Sequence, residues 1–288
     1  VGILALILAS TFNWGREEEP PELVDGQIAV VVAGGDNGDR WRSLDQGIYQ
    51  ACNELGLEKP LLTLAGTDGQ DRQVQLLRRE VEKGARGLLV LPGGDRDLPG
   101  YLQEFSKSAS VVLLESDADT GLPCVPADNA AMGRSLARWL AEQTNTHIAL
   151  LDSKGRSPGV AERQAAFEAE MTALGVKFHP IAWPDDEDLK SYLALTLATH
   201  NPQIDMLAVM DNESLEIAAE ALPASMVRVA LCGIASSDLS VYNLDSGYLD
   251  AIVYHNEYAM GYLGIYQLAA QMNLLSKGPE GEVLHQLV

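Results

Sequence analysis

Residues 73–92 run Gln-Val-Gln-Leu-Leu-Arg-Arg-Glu-Val-Glu-Lys-Gly-Ala-Arg-Gly-Leu-Leu-Val-Leu-Pro, and they restrict the fold more than any other stretch. Val74, Leu77 and Val81 recur at helical spacing, so the first part predicts an amphipathic helix. Asp71 is placed to cap its start, and Gly84 to supply the left-handed residue that ends it. Gly87–Leu91 is then almost wholly aliphatic, as a strand covered on both faces must be. A helix feeding directly into such a strand is half of a parallel crossover. Ligands bind beyond the carboxyl ends of strands built this way.

The same alternation fills the chain from Gln27 onward. Ile28–Ala33 predicts a strand. Leu44, Ile48, Ala51, Cys52 and Leu55 predict a helix stopped by Gly56. Leu61–Ala65 predicts a second strand. Tyr101, Leu102 and Phe105 mark a helix, and Val111–Leu114 a fourth strand. Strands alternating with helices point to a doubly wound parallel sheet. The rhythm restarts with a helix carrying Met132, Leu136, Trp139 and Leu140. A strand at Ile148–Leu151 follows, then a helix with Val160, Arg163, Phe167, Met171 and Leu174 on one face. Further strands are expected at Val176–Ile181, Met206–Met210, Val227–Cys232 and Ala251–Tyr254. Helices are expected at Leu189–Thr199, around Leu215–Leu222, and from Met260 to Leu275. The fold class is therefore α/β, with two doubly wound parallel-sheet lobes in series.

Charge excludes whole classes of partner. The 288 residues carry 41 acidic and 20 basic side chains, a net charge of -21. Such a surface repels phosphate backbones and anionic membranes, so no nucleic acid partner is expected. Cys52 and Cys232 fall on predicted apolar faces and read as core residues, whereas Cys124 falls in a predicted loop, open to reaction but with nothing nearby to activate it. The cysteines and the five histidines show no metal-ligand spacing, and no cofactor motif is present. Gly34-Gly35-Asp36-Asn37-Gly38 lacks the spacing of a dinucleotide loop, and its acids would repel a pyrophosphate. With no nucleophile elbow or Cys–His pair, the sequence points away from an enzyme.

Val1–Trp14 is apolar apart from Ser10, Thr11 and Asn13, and the proline-bearing acidic run Gly15–Glu22 follows. Residues 1–26 are expected to be the end of a signal peptide or an uncleaved membrane anchor plus a linker. Either puts the folded part in an extracytoplasmic place, the periplasm or the cell surface.

Several segments resemble the type I periplasmic binding proteins, in particular the ribose- and galactose-binding group. They are Ile28–Val32 followed by Asn37, Trp41 and Gly47; the stretch 73–92; Pro126-Ala127-Asp128-Asn129 with Gly133; Ala161–Phe167 around Arg163; Asp211-Asn212-Glu213 with Ala218-Ala219; and Tyr258–Tyr262. The resemblance runs from Gln27 to the C-terminus. It implies two lobes joined by a three-segment hinge near Ala127-Asp128, His255-Asn256 and Val283-Leu284. Lobe I is then 27–127 plus 256–283, and lobe II 128–255 plus 284–288. It implies capture of a small polar solute, sugar-like, in the interlobe cleft for ABC-type uptake through a membrane permease. A membrane-anchored sensor domain that passes ligand occupancy to a receptor or kinase partner is the alternative. The effector domain of a LacI-type regulator shares the fold, but the apolar start and acidic linker stand where a basic DNA-binding helix pair would be.

The strand ends then select the candidate ligand-binding residues Asn37, Trp41, Asp95, Glu115, Arg163, Asp211, Asn212, Ser236 and His255. Trp41 either offers a stacking face to a sugar or covers a helix end. Asp211 and Asn212 either cap a helix or meet the ligand. The chain departs from the sugar binders at Glu115-Ser116, where they carry Asp-Arg, at Ala235, where they carry Asp, and at His255, where they carry Gln. These departures argue against ribose or galactose itself.

Overall fold

The protein is described from a computed structural model covering residues 28–35, 41–66, 72–143, 146–153, 155–184, 188–275 and 281–288. The predicted N-terminal anchor, Asp71 and Asn37 lie outside the described residues. Among the described residues no helix is long and apolar enough to cross a membrane.

The first sheet contains β1 (Ile28–Val32), β2 (Leu62–Leu64), β3 (Gly87–Leu91), β4 (Ser110–Glu115) and β5 (Cys124–Pro126), all parallel in the order β2-β1-β3-β4-β5. Between them run α1 (Arg42–Leu55), α2 (Arg72–Glu82) and α3 (Leu98–Phe105). The second sheet contains β6 (Ile148–Leu151), β7 (Phe178–Ile181), β8 (Met206–Val209), β9 (Ala230–Ala235), β10 (Ala251–His255) and β11 (His285–Leu287), in the order β11-β10-β9-β8-β6-β7. Its helices are α4 (Asn129–Ala141), α5 (Pro158–Ala173), α6 (Leu189–Thr199), α7 (Asn212–Ser225) and α8 (Asp238–Asp245), while α9 (Glu257–Gln271) returns to the first sheet and packs on α1. Setting β11 aside, the two sheets share one wiring. In each, the second strand lies outside the first, and the third lies on the first strand's other side.

The aliphatic strands are explained by this layering. In β1, Val30 and Val32 face the layer of α1 and α9, whereas Ala29 and Val31 face that of α2 and α3. In β3, Leu89 and Leu91 alternate with Leu88 and Val90 in the same way. In β6, Ile148 and Leu150 face one core and Ala149 and Leu151 the other. A strand with both faces covered must be apolar at every position. In α2, Val74 and Leu77 are buried and Val81 is partly exposed. Gly84 takes φ +97° at the end of that helix, as expected of a left-handed stop.

Some predicted boundaries move, each for a local reason. The strand expected at Val227–Cys232 forms three residues later, as β9. Helix α7 continues past Pro223 to Ser225, Met226 closes it in a left-handed conformation, and pairing of Ala230 with Met206 sets the register. Leu61 is exposed and lies outside β2, and Leu174 is exposed at the end of α5 instead of on its inner face. Cys124 lies in an edge strand, not a loop. Burial, helped by the nearby Asp117 and Glu162 charges, pushes its thiol up to about 12. Three elements have no counterpart in the sequence reading: the short edge strand β5, α8, and β11, which pairs antiparallel with β10.

The chain crosses between the sheets at three places that lie side by side. Ala127 bridges Val283, and the Asn256 amide donates to the Leu284 carbonyl at 3.0 Å. Elsewhere the helices meet at glycines. A Cβ on Gly47 of α1 would collide with the Tyr258 carbonyl of α9, and one on Gly133 of α4 with the Arg163 carbonyl of α5. Each lobe thus has one helix pair in backbone contact.

Two outcomes follow. Gly47→Ala inserts a methyl into a closed contact and should cost about 1–3 kcal/mol, lowering the melting temperature by several degrees. Gly100→Ala, at a helix position with open space around it, should instead raise stability by about 0.5–1 kcal/mol. Calorimetric melting of both variants checks the contrast. Iodoacetamide at pH 8 should leave the native thiols unmodified, because burial raises Cys52 and Cys124 to about 12 and raises Cys232 as well. Mass spectrometry showing labelled Cys124 in folded protein would contradict this.

Candidate functional site

In a sheet of order 2-1-3-4-5 the loops after the first and third strands leave in opposite directions and open a crevice between them. Both sheets have such a switch point, and both open on one cavity of about 290 Å³ between the lobes. The first sheet contributes Ala33 and Gly34 after β1 and Gly93, Gly94 and Asp95 after β3. The second contributes Gly155, Arg156 and Ser157 after β6 and Asp211 and Asn212 after β8. The cavity lies near the lower end of the size range of small-molecule sites, which suits a compact solute.

Of the predicted residues, Trp41, Asp95, Glu115, Arg163, Asp211, Asn212, Ser236 and His255 all line this cavity. Their geometry differs from a ring of groups each facing a ligand. Glu115, the last residue of β4, and Arg163, on the second turn of α5, are paired with each other across the lobes, and both are buried. Glu115 has φ +71°, a left-handed conformation uncommon outside glycine, which turns the chain at the strand end. Its carbonyl accepts from the Ala127 amide at 3.1 Å and Asn129 Nδ2 at 3.0 Å, so the turn is held from both sides. Arg163 Nε donates to Asn129 Oδ1 at 2.9 Å, and Nη1 to the Met210 carbonyl at 3.3 Å. Glu162 accepts from Ser116 Oγ and, at 2.8 Å, from Asn129 Nδ2. Lobe I thus meets lobe II through one connected set of charge-assisted hydrogen bonds. A Cβ on Gly159 would collide with the Glu115 carboxylate, so glycine there leaves the room that carboxylate needs.

The structural half of the alternative for Asp211 and Asn212 is present, and both residues also line the cavity. Asp211 caps α7, accepting from the Ser214 amide at 2.9 Å and Ser214 Oγ at 2.6 Å. Asn212 Oδ1 accepts from the amides of Ser236 and Ser237 and from Ser240 Oγ, while Nδ2 donates to Glu216 at 2.7 Å. Ser236 Oγ donates to Glu257, and His255 Nε2 lies 3.8 Å from the same carboxylate. Trp41 is buried in the α1 core and also forms part of the cavity wall.

The expectation about Ala235 is corrected. Ala235 ends β9 with its side chain in the core of the far face, whereas Ile234 and Ser236 line the cavity. Ala235 therefore does not line the cavity.

Sequence reasoning named Gln73 and Glu213 only within longer motifs and selected neither them nor Arg156 and Glu257. Arg156 pairs with Glu213 and stacks over Trp183, its guanidinium carbon 4.9 Å from the ring centre. Gln73 is buried; it donates to the Leu91 carbonyl at 2.8 Å and accepts from the Gly93 amide at 2.9 Å, so it fixes the loop leading to Asp95. The signal was present, because Gln73 occupies a polar position among the buried residues of an otherwise amphipathic helix. One carboxylate oxygen stands apart: Asp95 Oδ1 accepts from the Asp97 amide at 2.9 Å, but the buried Oδ2 has no hydrogen-bond partner among the described residues.

Solved structures of the same architecture have been described. The periplasmic component of an ABC-type sugar transport system from Hahella chejuensis is 24% identical, with TM-score 0.72, and the alignment covers 91% of this chain and 99% of that one. The Caulobacter myo-inositol binding protein bound to myo-inositol is 17% identical, with TM-score 0.74 and coverage of 93% and 94%. An ABC transporter solute binding protein from Burkholderia graminis in complex with D-arabinose is 17% identical, with TM-score 0.75 and coverage of 92% and 96%. No curated protein matches by sequence. The model of the family described as periplasmic binding protein domain matches residues 28–276, and this chain belongs to that family, with the two-lobed fold of its type I members.

Proposed function

We propose that the chain is an extracytoplasmic solute-binding protein that captures a small, polar, sugar-like molecule between its lobes for ABC-type uptake. The observation that carries the reading is the pair of matched switch points, one per sheet, facing a single cavity. Polar side chains from both lobes line it, and Trp41 contributes an aromatic wall suited to the C–H face of a sugar ring. The sugar-transport, inositol and arabinose proteins of the same architecture support this ligand class.

Capture is non-covalent. A solute held by both lobes stabilises their approach by the difference in its affinity for the near and separated arrangements. The hinge is assigned to the three adjacent crossings, with lobe I as 27–127 plus 256–283 and lobe II as 128–255 plus 284–288. The Ala127–Val283 bridge and the Asn256–Leu284 hydrogen bond support that division. Trp41, Asp95, Glu115, Arg163, Ser236 and His255 are proposed to bound the solute, with Asp211 and Asn212 shaping the floor beneath it. The downstream partner is proposed to be a membrane permease.

Calorimetric titration and melting with pentoses, hexoses, inositols and linear polyols test this reading. At a hundredfold excess over Kd, a solute specific to the folded cleft adds about 2.7 kcal/mol and raises the melting temperature by several degrees. A panel that produces neither heat nor a melting shift, together with a protein partner that occupies the cleft, would contradict it.

A further inference from the structure

The charges around the cavity are unequal. Its described lining carries five carboxylates, Asp95, Glu115, Asp211, Glu213 and Glu257, against the two guanidiniums of Arg156 and Arg163. Both guanidiniums are already matched, Arg163 by Glu115 and Arg156 by Glu213, and His255 stands beside Glu257. The positive charge of the wall is thus used within the wall, and Asp95 and Asp211 remain in excess. Asp211 directs both its oxygens into the Ser214 cap. Asp95 differs, for it makes no ion pair among the described residues and its Oδ2 is buried without a hydrogen-bond partner.

A buried carboxylate oxygen lacking a donor is costly, and the cost is relieved best by a donor that is itself charged. Gly94 and Gly155 bring the lobes together next to Asp95, since a Cβ on Gly94 would collide with the Gly155 carbonyl. Both glycines are themselves solvent-exposed, so this contact lies at the edge of the cleft and a charge pair formed there is partly screened. Trp41 forms part of the wall of the same cavity, and aromatic side chains are the second feature that attracts ammonium groups.

We infer that the solute carries a positively charged amine on its polar skeleton, as an amino sugar or amino-polyol does, and that Asp95 Oδ2 receives that ammonium. The inference rests on the solute-binding reading above and narrows its ligand class. An anionic sugar acid is disfavoured by the same charges, because no guanidinium of the described wall is left without a carboxylate beside it.

The test compares matched pairs by calorimetric titration at pH 7: glucosamine against glucose, galactosamine against galactose, and an amino-deoxy-inositol against myo-inositol. N-acetylated forms keep the nitrogen but not its charge. For the skeleton that fits, the free amine should bind about tenfold or more tighter than its neutral parent, and the acetylated form should lose that advantage. Asp95→Asn, nearly isosteric and in a partly exposed loop, should abolish the preference while leaving the melting temperature close to that of the parent protein. Neutral parents that bind as well as their amines would overturn the inference and leave the solute-binding reading standing. An amine preference that survives Asp95→Asn would overturn the role of Asp95. If neither member of any pair binds, the solute-binding reading falls with it.

Discussion

The ion pair between Glu115 and Arg163 is the interaction on which the site depends. It joins the end of β4 in one lobe to α5 in the other. Two buried charges cost several kcal/mol each to remove from water, and their attraction repays that only when the remaining donors and acceptors are met. Here the remaining donors of Arg163 are met by Asn129 and by the Met210 carbonyl. Removing one partner would leave the other as a buried lone charge, a loss of about 3–5 kcal/mol. In this alignment of the lobes Glu115 lies against Gly159 and pairs with Arg163.

That alignment decides what the cavity presents. The two arginines that would make the cleft attractive to anions are matched from within, one across the lobes and one inside lobe II. What remains for a solute is a wall of hydrogen-bonding groups whose described carboxylates outnumber its guanidiniums, with Trp41 in the wall and an oxygen of Asp95 that has no donor among the described residues. The departures from the sugar binders noted at Glu115 and Ser116 take on a physical meaning. Glu115 turns to Arg163 and Ser116 to Glu162, so both positions serve contact between lobes.

Much of this was legible in the sequence because doubly wound sheets write themselves as fully aliphatic strands between amphipathic helices. Gly87–Leu91 and Ile148–Leu151 form where the pattern puts them, and the family resemblance holds. The losses came where local pattern is not what decides. The start of β9 is set by its pairing with β8 and by a helix that runs through Pro223, so the alternating Val227 and Val229 mislead. Antiparallel β11 is a three-residue strand that exists only because β10 offers it an edge. Among site residues, sequence identified which loops converge but not which charges cancel. Glu115 and Arg163 were both legible as polar groups at the cleft. That each is the other's partner depends on residues 48 positions apart meeting between lobes, which no spacing rule encodes.

The most direct test of this account is small-angle X-ray scattering of the wild-type protein and of Arg163→Met, which keeps the side chain's bulk but removes its charge. If the Glu115–Arg163 network holds the lobes together, the wild type should scatter with the compact radius of gyration of the arrangement described here. The variant should then be measurably more extended while keeping native circular dichroism. Superimposable curves for the two proteins would contradict the account, because the lobes would then be held by something other than this pair.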